Sequence, residues 1–277
     1  MVVTGASRGL GRAFAVAMAK SYPSSRHQHP LCVCLIARNE NELLQTKKVI
    51  SEAVSGYDQK IASIEYYPMD LADLNSLERS MDDMLQNELD KARANGFDRG
   101  FQSAYLVNNA GSIGDLLPVS EFTSLQKFQQ FIDLNVTSGC WITNSFLNFV
   151  RASVNDIAVV VNVSSLWAVQ PCKTVSQYCA AKAARDMFHK SLALEVEDKP
   201  LNGVNVKVLN YAPGPCETSM QCDIRESDTV DEGVKEFCIK SKAESTLVKP
   251  EDSAEKLAML VFENKYCNGD HVDFFDC

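Results

Sequence analysis

The chain has 277 residues, of which 45% are hydrophobic and 23% charged, and it carries a formal net charge of −9 with a pI near 5.0. This composition is that of a globular protein with one large core, and the acidic charge argues against nucleic acid or an anionic membrane surface as the main partner. No apolar run approaches the roughly 18 residues of a membrane span, and a strand is predicted from Met1 onwards. We therefore expect neither a membrane segment nor a signal peptide.

Short apolar segments alternate with long amphipathic segments, which is the pattern of βαβ units and of a parallel sheet. Several of the predicted strands are unbroken Val/Ile/Leu runs, as expected of strands covered on both faces; they are Met1–Thr4, Cys32–Ala37, Ile61–Met69, Ala104–Asn108, Ala158–Val163, Val204–Leu209 and His271–Phe275. The predicted helices are Gly11–Lys20, Glu40–Val54, Leu74–Ala94, Leu125–Ala152, Val175–Val196 and Pro250–Phe262. The sequence thus predicts an α/β fold in a single domain over 1–277, with a doubly wound parallel sheet of about seven strands and helices on both faces.

Two segments interrupt this alternation. Tyr22–Pro30 is polar and is predicted to be a loop. Pro215–Val248 is a long, charged segment between the sixth and the last strand, and loops of that length in compact domains are usually functional lids or disordered. Its interspersed apolar residues favour a lid at about 215–248 over the substrate.

The ten cysteines contain no C-x-x-C pair, and the four histidines form no ligand cluster, so the sequence predicts no metal site. We interpret the cysteines as mostly buried thiols of a reducing compartment, which predicts a cytoplasmic location.

A glycine-rich turn lies between the first strand and the first helix. Glycines at such a junction allow a tight turn and let a dinucleotide pyrophosphate approach the positive end of the helix. A glycine triplet can also be a tight turn and nothing more, but the strand before it and the helix after it favour a phosphate site. The candidate cofactor-binding residues are Gly5, Ala6, Ser7, Arg8, Gly9, Leu10 and Gly11.

The end of the second strand indicates which nicotinamide cofactor binds. NAD enzymes usually place a carboxylate there to accept hydrogen bonds from the ribose 2′-hydroxyl, whereas this chain has Arg38 and Asn39. The planar guanidinium of Arg38 can bind a 2′-phosphate, and Arg8 is a candidate second cation. The sequence therefore predicts NADP or NADPH.

Tyr178 and Lys182 are four residues apart in a predicted helix, so they lie on one face of it. A cation beside a phenol lowers its pKa towards the range useful for proton transfer. Such a pair often arises by chance, and it is otherwise a solvated flank of a helix. Ser165, thirteen residues before the tyrosine at the end of the fifth strand, is the third candidate.

Taken together, the motifs resemble the short-chain dehydrogenase/reductase family almost from end to end. They are the Gly-x-x-x-Gly-x-Gly turn, Asn108-Asn109-Ala110-Gly111, Tyr178-x-x-x-Lys182, and Pro213-Gly214 with Thr218 after the sixth strand. The resemblance implies a Rossmann-like fold and carbonyl reduction by NADPH. It also implies a homodimer formed through the helices predicted at Leu125–Ala152 and Val175–Val196.

The resemblance also implies catalytic roles. Tyr178 would be the proton donor, and Lys182 would lower its pKa and bind the nicotinamide ribose. Ser165 would polarise the substrate carbonyl, with Ser164 as the competing candidate. Asn135 would support a proton relay through water, or else would only satisfy helix backbone groups.

Further cofactor contacts are implied in the same way. Asp70 and Leu71 would meet the adenine, although Asp70 can equally be a plain carboxylate at the start of a helix. Asn108 would lie on the adenosine side. The remaining residues, implied for the nicotinamide and pyrophosphate, are Cys216, Glu217, Thr218, Ser219, Met220 and Gln221.

The substrate is indicated by later segments, which resemble the members of the family that reduce a carbonyl on a pterin side chain. These segments are Ser164-Ser165-Leu166, 178–187, 209–215 and 271–276. By this resemblance Asp273 would accept the adjacent N–H groups of the pterin ring, with the backbone near Gly214 lining the pocket beside Ser164, Ser165 and Tyr178. Alternatively, Asp273 is an exposed charge at a frayed end.

Two other functions stay open from the sequence. One is a broad-specificity carbonyl or diketone reductase with the same core residues. The other is a non-catalytic NADP-binding regulatory protein, against which the intact Ser165, Tyr178 and Lys182 argue.

Overall fold

The computed structural model describes residues 1–22, 30–55, 61–98 and 100–277. These residues contain one sheet of seven strands in the order β3-β2-β1-β4-β5-β6-β7, and each neighbouring pair is parallel. The strands are β1 (Val2–Thr4), β2 (Leu31–Ala37), β3 (Ile61–Pro68), β4 (Phe101–Asn108), β5 (Val154–Val163), β6 (Asn205–Ala212) and β7 (His271–Asp273). The predicted α/β fold is confirmed.

Helices cover both faces of the sheet within the described residues. They are α1 (Gly9–Ser21), α2 (Glu40–Val54), α3 (Leu74–Ala94), α4 (Leu125–Ile132), α5 (Ser138–Ser153), α6 (Ser176–Asp198), α7 (Ser219–Glu226), α8 (Glu232–Ala243) and α9 (Pro250–Glu263). One core contains side chains of α1, α2 and α9, and the other contains side chains of α3, α5 and α6.

Strand side chains alternate between these two cores. In β5, Val159 and Val161 belong to the first core and Val160 to the second, because successive side chains of a strand point to opposite faces. Burying a side chain of this size contributes about 1.5–3 kcal/mol. This is why the strands read as continuous apolar runs.

Two caps explain where helices begin. The Asn39 side chain accepts a hydrogen bond from the Glu42 amide (3.1 Å) at the start of α2, and Asp73 accepts one from the Asn75 amide (3.2 Å) at the start of α3. Both side chains satisfy amide groups that have no partner within the helix. The bounds predicted for α2 and α3 match the structure.

The single helix predicted over Leu125–Ala152 is wrong in its middle, because a π-helical turn at Asp133–Thr137 separates α4 from α5. Inside this turn, the Asn135 amide donates to the Phe131 carbonyl (2.9 Å), and its oxygen accepts from the Ser112 amide (2.9 Å). A side chain that competes for backbone groups in this way disturbs the regular helix. Turns of this kind often lie at functional sites.

The segment Pro215–Val248, predicted to be a lid without regular structure, contains the helices α7 and α8. Backbone hydrogen bonds close it at its base, from Val248 to the Pro215 carbonyl (3.0 Å) and from Glu217 to the Val248 carbonyl (3.1 Å). It is therefore a two-helix excursion from the sheet. Of the predicted loop Tyr22–Pro30, all but the two end residues lie outside the described residues.

No helix among the described residues has the length and apolar character needed to cross a bilayer. All ten cysteines are free thiols. Within the same described ranges, no group of three or more His, Cys, Asp or Glu side chains is placed to hold a metal ion.

Candidate active site

A cavity of about 910 Å³ opens at the carboxyl ends of the strands. It lies where the strand order reverses between β1 and β4, which is where doubly wound sheets bind their ligands. Its volume is within the range of small-molecule sites.

Most of the predicted site residues line this cavity. They are Gly5, Ser7, Arg8, Gly9, Leu10, Gly11, Arg38, Asn39, Asp70, Leu71, Ser164, Ser165, Tyr178, Lys182, Gly214, Cys216, Thr218, Ser219, Met220, Gln221 and Asp273. Four predicted residues are not in its lining: Ala6, Asn108, Asn135 and Glu217. Glu217 instead forms ion pairs with Arg225 (3.1 Å) and Lys242 (2.8 Å), which tie the base of α7 to α8.

The glycine turn needs glycine for two physical reasons. Gly5 and Gly9 have φ angles of +65° and +53°, which side chains rarely tolerate. At Gly11 a Cβ atom would lie 2.2 Å from the Gly5 carbonyl oxygen, so only glycine allows this close approach. The turn thereby presents the first residues of α1 to the cavity, as a phosphate site requires.

Arg8 and Arg38 both reach the cavity from exposed positions. Neither forms an ion pair with any residue that the structure describes. The two guanidinium groups therefore provide positive charge for an anionic ligand at the end of β2. Asn39 lines the same edge, but its side chain oxygen caps α2.

Asn109 lines the cavity, whereas Asn108, which the sequence analysis expected on the adenosine side of the cofactor, does not. Asn108 is buried, and its amide donates to the Gly139 carbonyl (3.1 Å) and to the Thr143 hydroxyl (2.7 Å) of α5. Asn109 lines the cavity, and its amide donates to the Thr4 carbonyl (3.0 Å) beside the glycine turn. Alternation of side chains at the end of β4 was the signal that could have separated the two.

Ser165, Tyr178 and Lys182 meet at the inner end of the cavity. The Ser165 hydroxyl lies close enough to the Tyr178 phenol to lower its pKa. The Lys182 ammonium donates to the Val163 carbonyl (2.6 Å) and lies 5.4 Å from the centre of the Tyr178 ring. The fifth strand thus ends against α6 in a way that brings the three predicted residues together.

Burial raises the pKa of Tyr178 to about 12, while the Ser165 hydrogen bond and the charge of Arg185 act to lower it. Burial, followed by the charge of Arg185, holds the pKa of Lys182 well below its usual value. The net shift at Tyr178 is opposite to the one that the sequence predicts, because burial outweighs its neighbours. At neutral pH the phenol is therefore protonated, which is the form that can donate a proton.

Ser164 and Ser165 are distinguished by their contacts. The Ser165 hydroxyl also accepts from the Trp167 amide (3.2 Å) and caps the short 3₁₀ turn Leu166–Ala168. The Ser164 hydroxyl is buried without a hydrogen-bond partner among the described residues. Of the two hydroxyls, that of Ser165 is the one that acts on the pKa of the Tyr178 phenol.

Asn135 lies behind the cavity wall. Its contacts are the Phe131 carbonyl and both the amide and the hydroxyl of Ser112 (2.9 and 3.2 Å). These bonds correspond to the alternative of satisfying backbone groups, and the relay role stays a prediction.

Asp273 enters the cavity from the end of β7. One of its carboxylate oxygens accepts from the Phe275 amide (3.0 Å), and the segment is held by Lys256, which donates to the Phe274 carbonyl (2.7 Å). Gly214 has a φ angle of +74°, and a Cβ there would lie 3.0 Å from Val248. The same Cβ would lie 3.5 Å from Phe274 and Phe275, so the turn after β6 packs against the Asp273 segment.

The sequence analysis gave no individual role to six apolar residues of the cavity, although Leu166 and Phe275 lie in the segments that carry the resemblance. The six residues are Leu134, Leu166, Trp167, Ile224, Phe237 and Phe275. The Trp167 ring packs edge-on against Tyr178, with 6.0 Å between ring centres. Their side chains make part of the cavity apolar, and they come from separate helices, from the turn Leu166–Ala168 and from the segment after β7.

The chain matches the family model for short chain dehydrogenases over residues 1–229. Sepiapterin reductases of Xenopus tropicalis and Rattus norvegicus are 34% and 35% identical to it, each over 99% of this chain and 95% of the relative. Benzil reductase ((S)-benzoin forming) of Bacillus cereus is 25% identical over 98% of this chain and 97% of the relative.

Among solved structures, the KRED1-Pglu enzyme has the same fold, with a TM-score of 0.74, 23% identity and 98% of both chains covered. The glycine turn, the cavity at the switch point and the three grouped side chains agree with this family assignment. The chain belongs to the short-chain dehydrogenase family and is an oxidoreductase that acts on a small molecule with a nicotinamide cofactor.

Proposed function

We propose that this chain is an NADPH-dependent reductase of a carbonyl on a pterin side chain, with sepiapterin and 6-pyruvoyl-tetrahydropterin as candidate substrates in the last step of tetrahydrobiopterin biosynthesis. The observation that carries the proposal is Asp273. Its carboxylate lines the same cavity as Ser165 and Tyr178, so it can bind the ring of a pterin whose side-chain carbonyl meets those two residues. The similarity to sepiapterin reductases over nearly the whole chain supports it.

The positive charge at the end of β2 supports NADPH over NADH. Arg38 can bind the 2′-phosphate with its planar fork, and Arg8 adds a second cation at the start of α1. When NADPH is bound, it supplies the hydride that reduces the carbonyl carbon.

The chain's own residues supply the proton and its placement. Ser165 donates a hydrogen bond to the substrate carbonyl, which increases the positive charge on its carbon. Tyr178 transfers its phenolic proton to the carbonyl oxygen, so the carbonyl becomes an alcohol and the phenolate is reprotonated from solvent. Lys182, whose ammonium donates to the Val163 carbonyl, binds the nicotinamide ribose in this proposal.

On chemical grounds, a pterin fits the part of the cavity next to the Asp273 carboxylate. Its ring presents adjacent N–H donors that one carboxylate can accept together, and charge-assisted bonds of this kind are strong and directional. The apolar side chains Trp167, Phe237 and Phe275 would cover the ring faces.

The runner-up function is a broad-specificity diketone reductase, which the similarity to a benzil reductase and the apolar lining favour. A non-catalytic role does not fit a member of an oxidoreductase family. NADPH oxidation measured with sepiapterin and with benzil separates the two enzymes. A kcat/KM at least about 100-fold higher for sepiapterin supports the pterin reductase, and an equal or higher value for benzil contradicts it.

We also propose a homodimer through α5 and α6. Apolar side chains are exposed on these helices, with Trp141 at 40%, Met187 at 64% and Leu194 at 66% exposure. Light scattering would give a mass near twice the 30.6 kDa of the chain if the dimer forms, and the mass of a single chain would refute it.

The free thiols agree with the predicted cytoplasmic location, which stays a prediction.

A further inference from the structure

Arg185 is a buried cation in α6, the helix that also contains Tyr178 and Lys182. The proposed reaction does not use it. It follows Lys182 by three positions in α6, and only 1% of its surface is exposed. Among the described residues, no carboxylate lies within ion-pair distance of its guanidinium. Burying a charge is costly unless other groups compensate it, so its hydrogen-bond partners should reveal why it is there.

Those partners are two backbone carbonyls of the turn that follows β4. One terminal nitrogen donates to the Asn108 carbonyl (2.6 Å) and the other to the Ala110 carbonyl (3.1 Å). The two carbonyls flank Asn109, so the planar fork of Arg185 holds the turn at two points. A lysine, which carries a single point charge, could hold only one of them as firmly.

The same turn contacts the glycine turn on its other side. The Ala110 amide donates to the Thr4 hydroxyl (3.0 Å), and the Asn109 side chain donates to the Thr4 carbonyl (3.0 Å). A Cβ atom on Gly5 would lie 2.8 Å from that Asn109 side chain, so the packing is tight. A continuous set of contacts thus runs from α6 through the β4 turn to the cofactor side of the cavity.

The neighbouring helix leaves room for the guanidinium. Gly139 of α5 packs against it, and a Cβ atom at this position would lie 3.3 Å from the central carbon of the Arg185 guanidinium. A side chain here would force Arg185 to move.

We propose that Arg185 is a positioning residue that fixes the distance between Tyr178 on α6 and the cofactor side of the cavity, by holding the Asn108 and Ala110 carbonyls. This inference rests on the proposed roles of Tyr178 and of NADPH. A second observation agrees with it: the charge of Arg185 acts on the pKa of both Tyr178 and Lys182, lowering each. Ser165, Cys179 and Asp186 also act on one or other of these two pKa values.

The test compares Arg185→Met with Arg185→Lys, using NADPH and whichever of sepiapterin or benzil is reduced faster. Methionine keeps the length but removes the charge and the fork, whereas lysine keeps the charge. A misplacement of about 1 Å costs up to about 100-fold in rate, so kcat per NADPH-binding site should fall by about 10- to 100-fold in Arg185→Met. The fall should be smaller in Arg185→Lys, and NADPH Kd should stay within about threefold.

Three results would overturn the proposal. The first is a kcat per NADPH-binding site within about twofold of the unchanged chain. The second is a parallel loss of NADPH sites and thermal stability without a change in kcat per remaining site, since this would make Arg185 a purely structural residue. The third is a fall of kcat in Arg185→Lys as large as in Arg185→Met. The variant Tyr178→Phe distinguishes a failure of the proposed function from a failure of the Arg185 proposal. If this variant keeps its turnover, the proposed function is wrong. If it loses turnover, the Arg185 variants test the role of Arg185 alone.

Discussion

Tyr178 combines a proton-donating form with a buried position. Its pKa of about 12 results from burial, which outweighs the hydrogen bond of Ser165 and the charge of Arg185. The phenol is therefore protonated across the neutral range, as the proposed proton donor must be, although a raised pKa by itself makes it a weaker acid. The lysine four residues on has its own pKa lowered by the same burial.

Replacing Tyr178 by Phe should abolish turnover and leave NADPH binding largely unchanged. The variant keeps the ring that packs against Trp167 but loses the hydroxyl that carries the proton. Single-turnover kinetics and NADPH fluorescence titration measure the two quantities. A near-normal rate in this variant would rule out the assignment.

The Arg38 side chain should decide between the two nicotinamide cofactors. Arg38→Ala should raise the KM for NADPH by about 10- to 100-fold and change that for NADH little, because a charge-assisted bond to phosphate contributes about 1.5–3 kcal/mol. Arg79→Ala, at an exposed arginine of α3, is the control. An unchanged ratio of the two KM values would contradict the NADPH assignment.

Asp273 should control the pterin and not the cofactor. Asp273→Ala should raise the pterin KM far more than the NADPH KM, because the ring loses the acceptor for its N–H groups. Asp276→Ala, which removes a neighbouring carboxylate of the same segment, should have a much smaller effect. Equal rises of both KM values in Asp273→Ala would indicate a folding defect instead.

At the scale of elements, the π-helical turn between α4 and α5 depends on Asn135. Asn135→Ala would leave the Ser112 amide and the Phe131 carbonyl without their side-chain partner. We expect a loss of about 1–3 kcal/mol in the free energy of unfolding. Gln130→Ala, at an exposed position of α4, should change it by less than about 0.5 kcal/mol; equal losses in both variants would argue against this role.

The sequence predicts elements well where a single period runs uninterrupted. The stripe Leu77, Met81, Met84 and Leu85 of α3 is buried as its spacing indicates. Prediction from the sequence fails where contacts with other parts of the chain determine the local structure. This is so at Asp133–Thr137, where the Ser112 amide donates to the Asn135 side chain. The helices α7 and α8 were missed because their short apolar stripes are interrupted by charges and have few buried positions.

At the scale of the whole molecule, the alternation of strands and helices was enough to predict the parallel sheet with helices on both faces. The glycine turn, Arg38 and the Tyr178 pair were recognisable because each lies within one short segment. Asn109 and Arg185 were not, since their partners are separated from them by 75 residues or more in the chain. Their roles depend on the order of strands in the sheet, which spacing along the chain does not encode.

The buried side chain of His189 should make the stability of the fold depend on pH. Burial lowers the pKa of His189 to about 4, although the bond from its ring to the Arg185 carbonyl acts the other way. The unfolded chain would take up this proton near pH 6.5. This contribution to stability is therefore complete above about pH 6.5 and is lost as the pH falls through about 4, at a cost of about 3 kcal/mol.

The variant His189→Asn should flatten this dependence. Urea unfolding at pH 7 and at pH 4.5 measures the difference for both proteins, and the variant should lose less stability between the two values. The same difference in both proteins would show that other groups cause the acid sensitivity.

A π-helical turn contains one residue more than a regular α-helix would use for the same span, and each residue turns a helix by about 100°. The turn at Asp133–Thr137 therefore sets the rotation of the whole of α5 about its axis. Gly139 and Thr143 face Arg185 and Asn108 because of it. A deletion of one residue there would leave composition and hydrophobic pattern almost unaltered, yet it would turn this face of α5 away from α6.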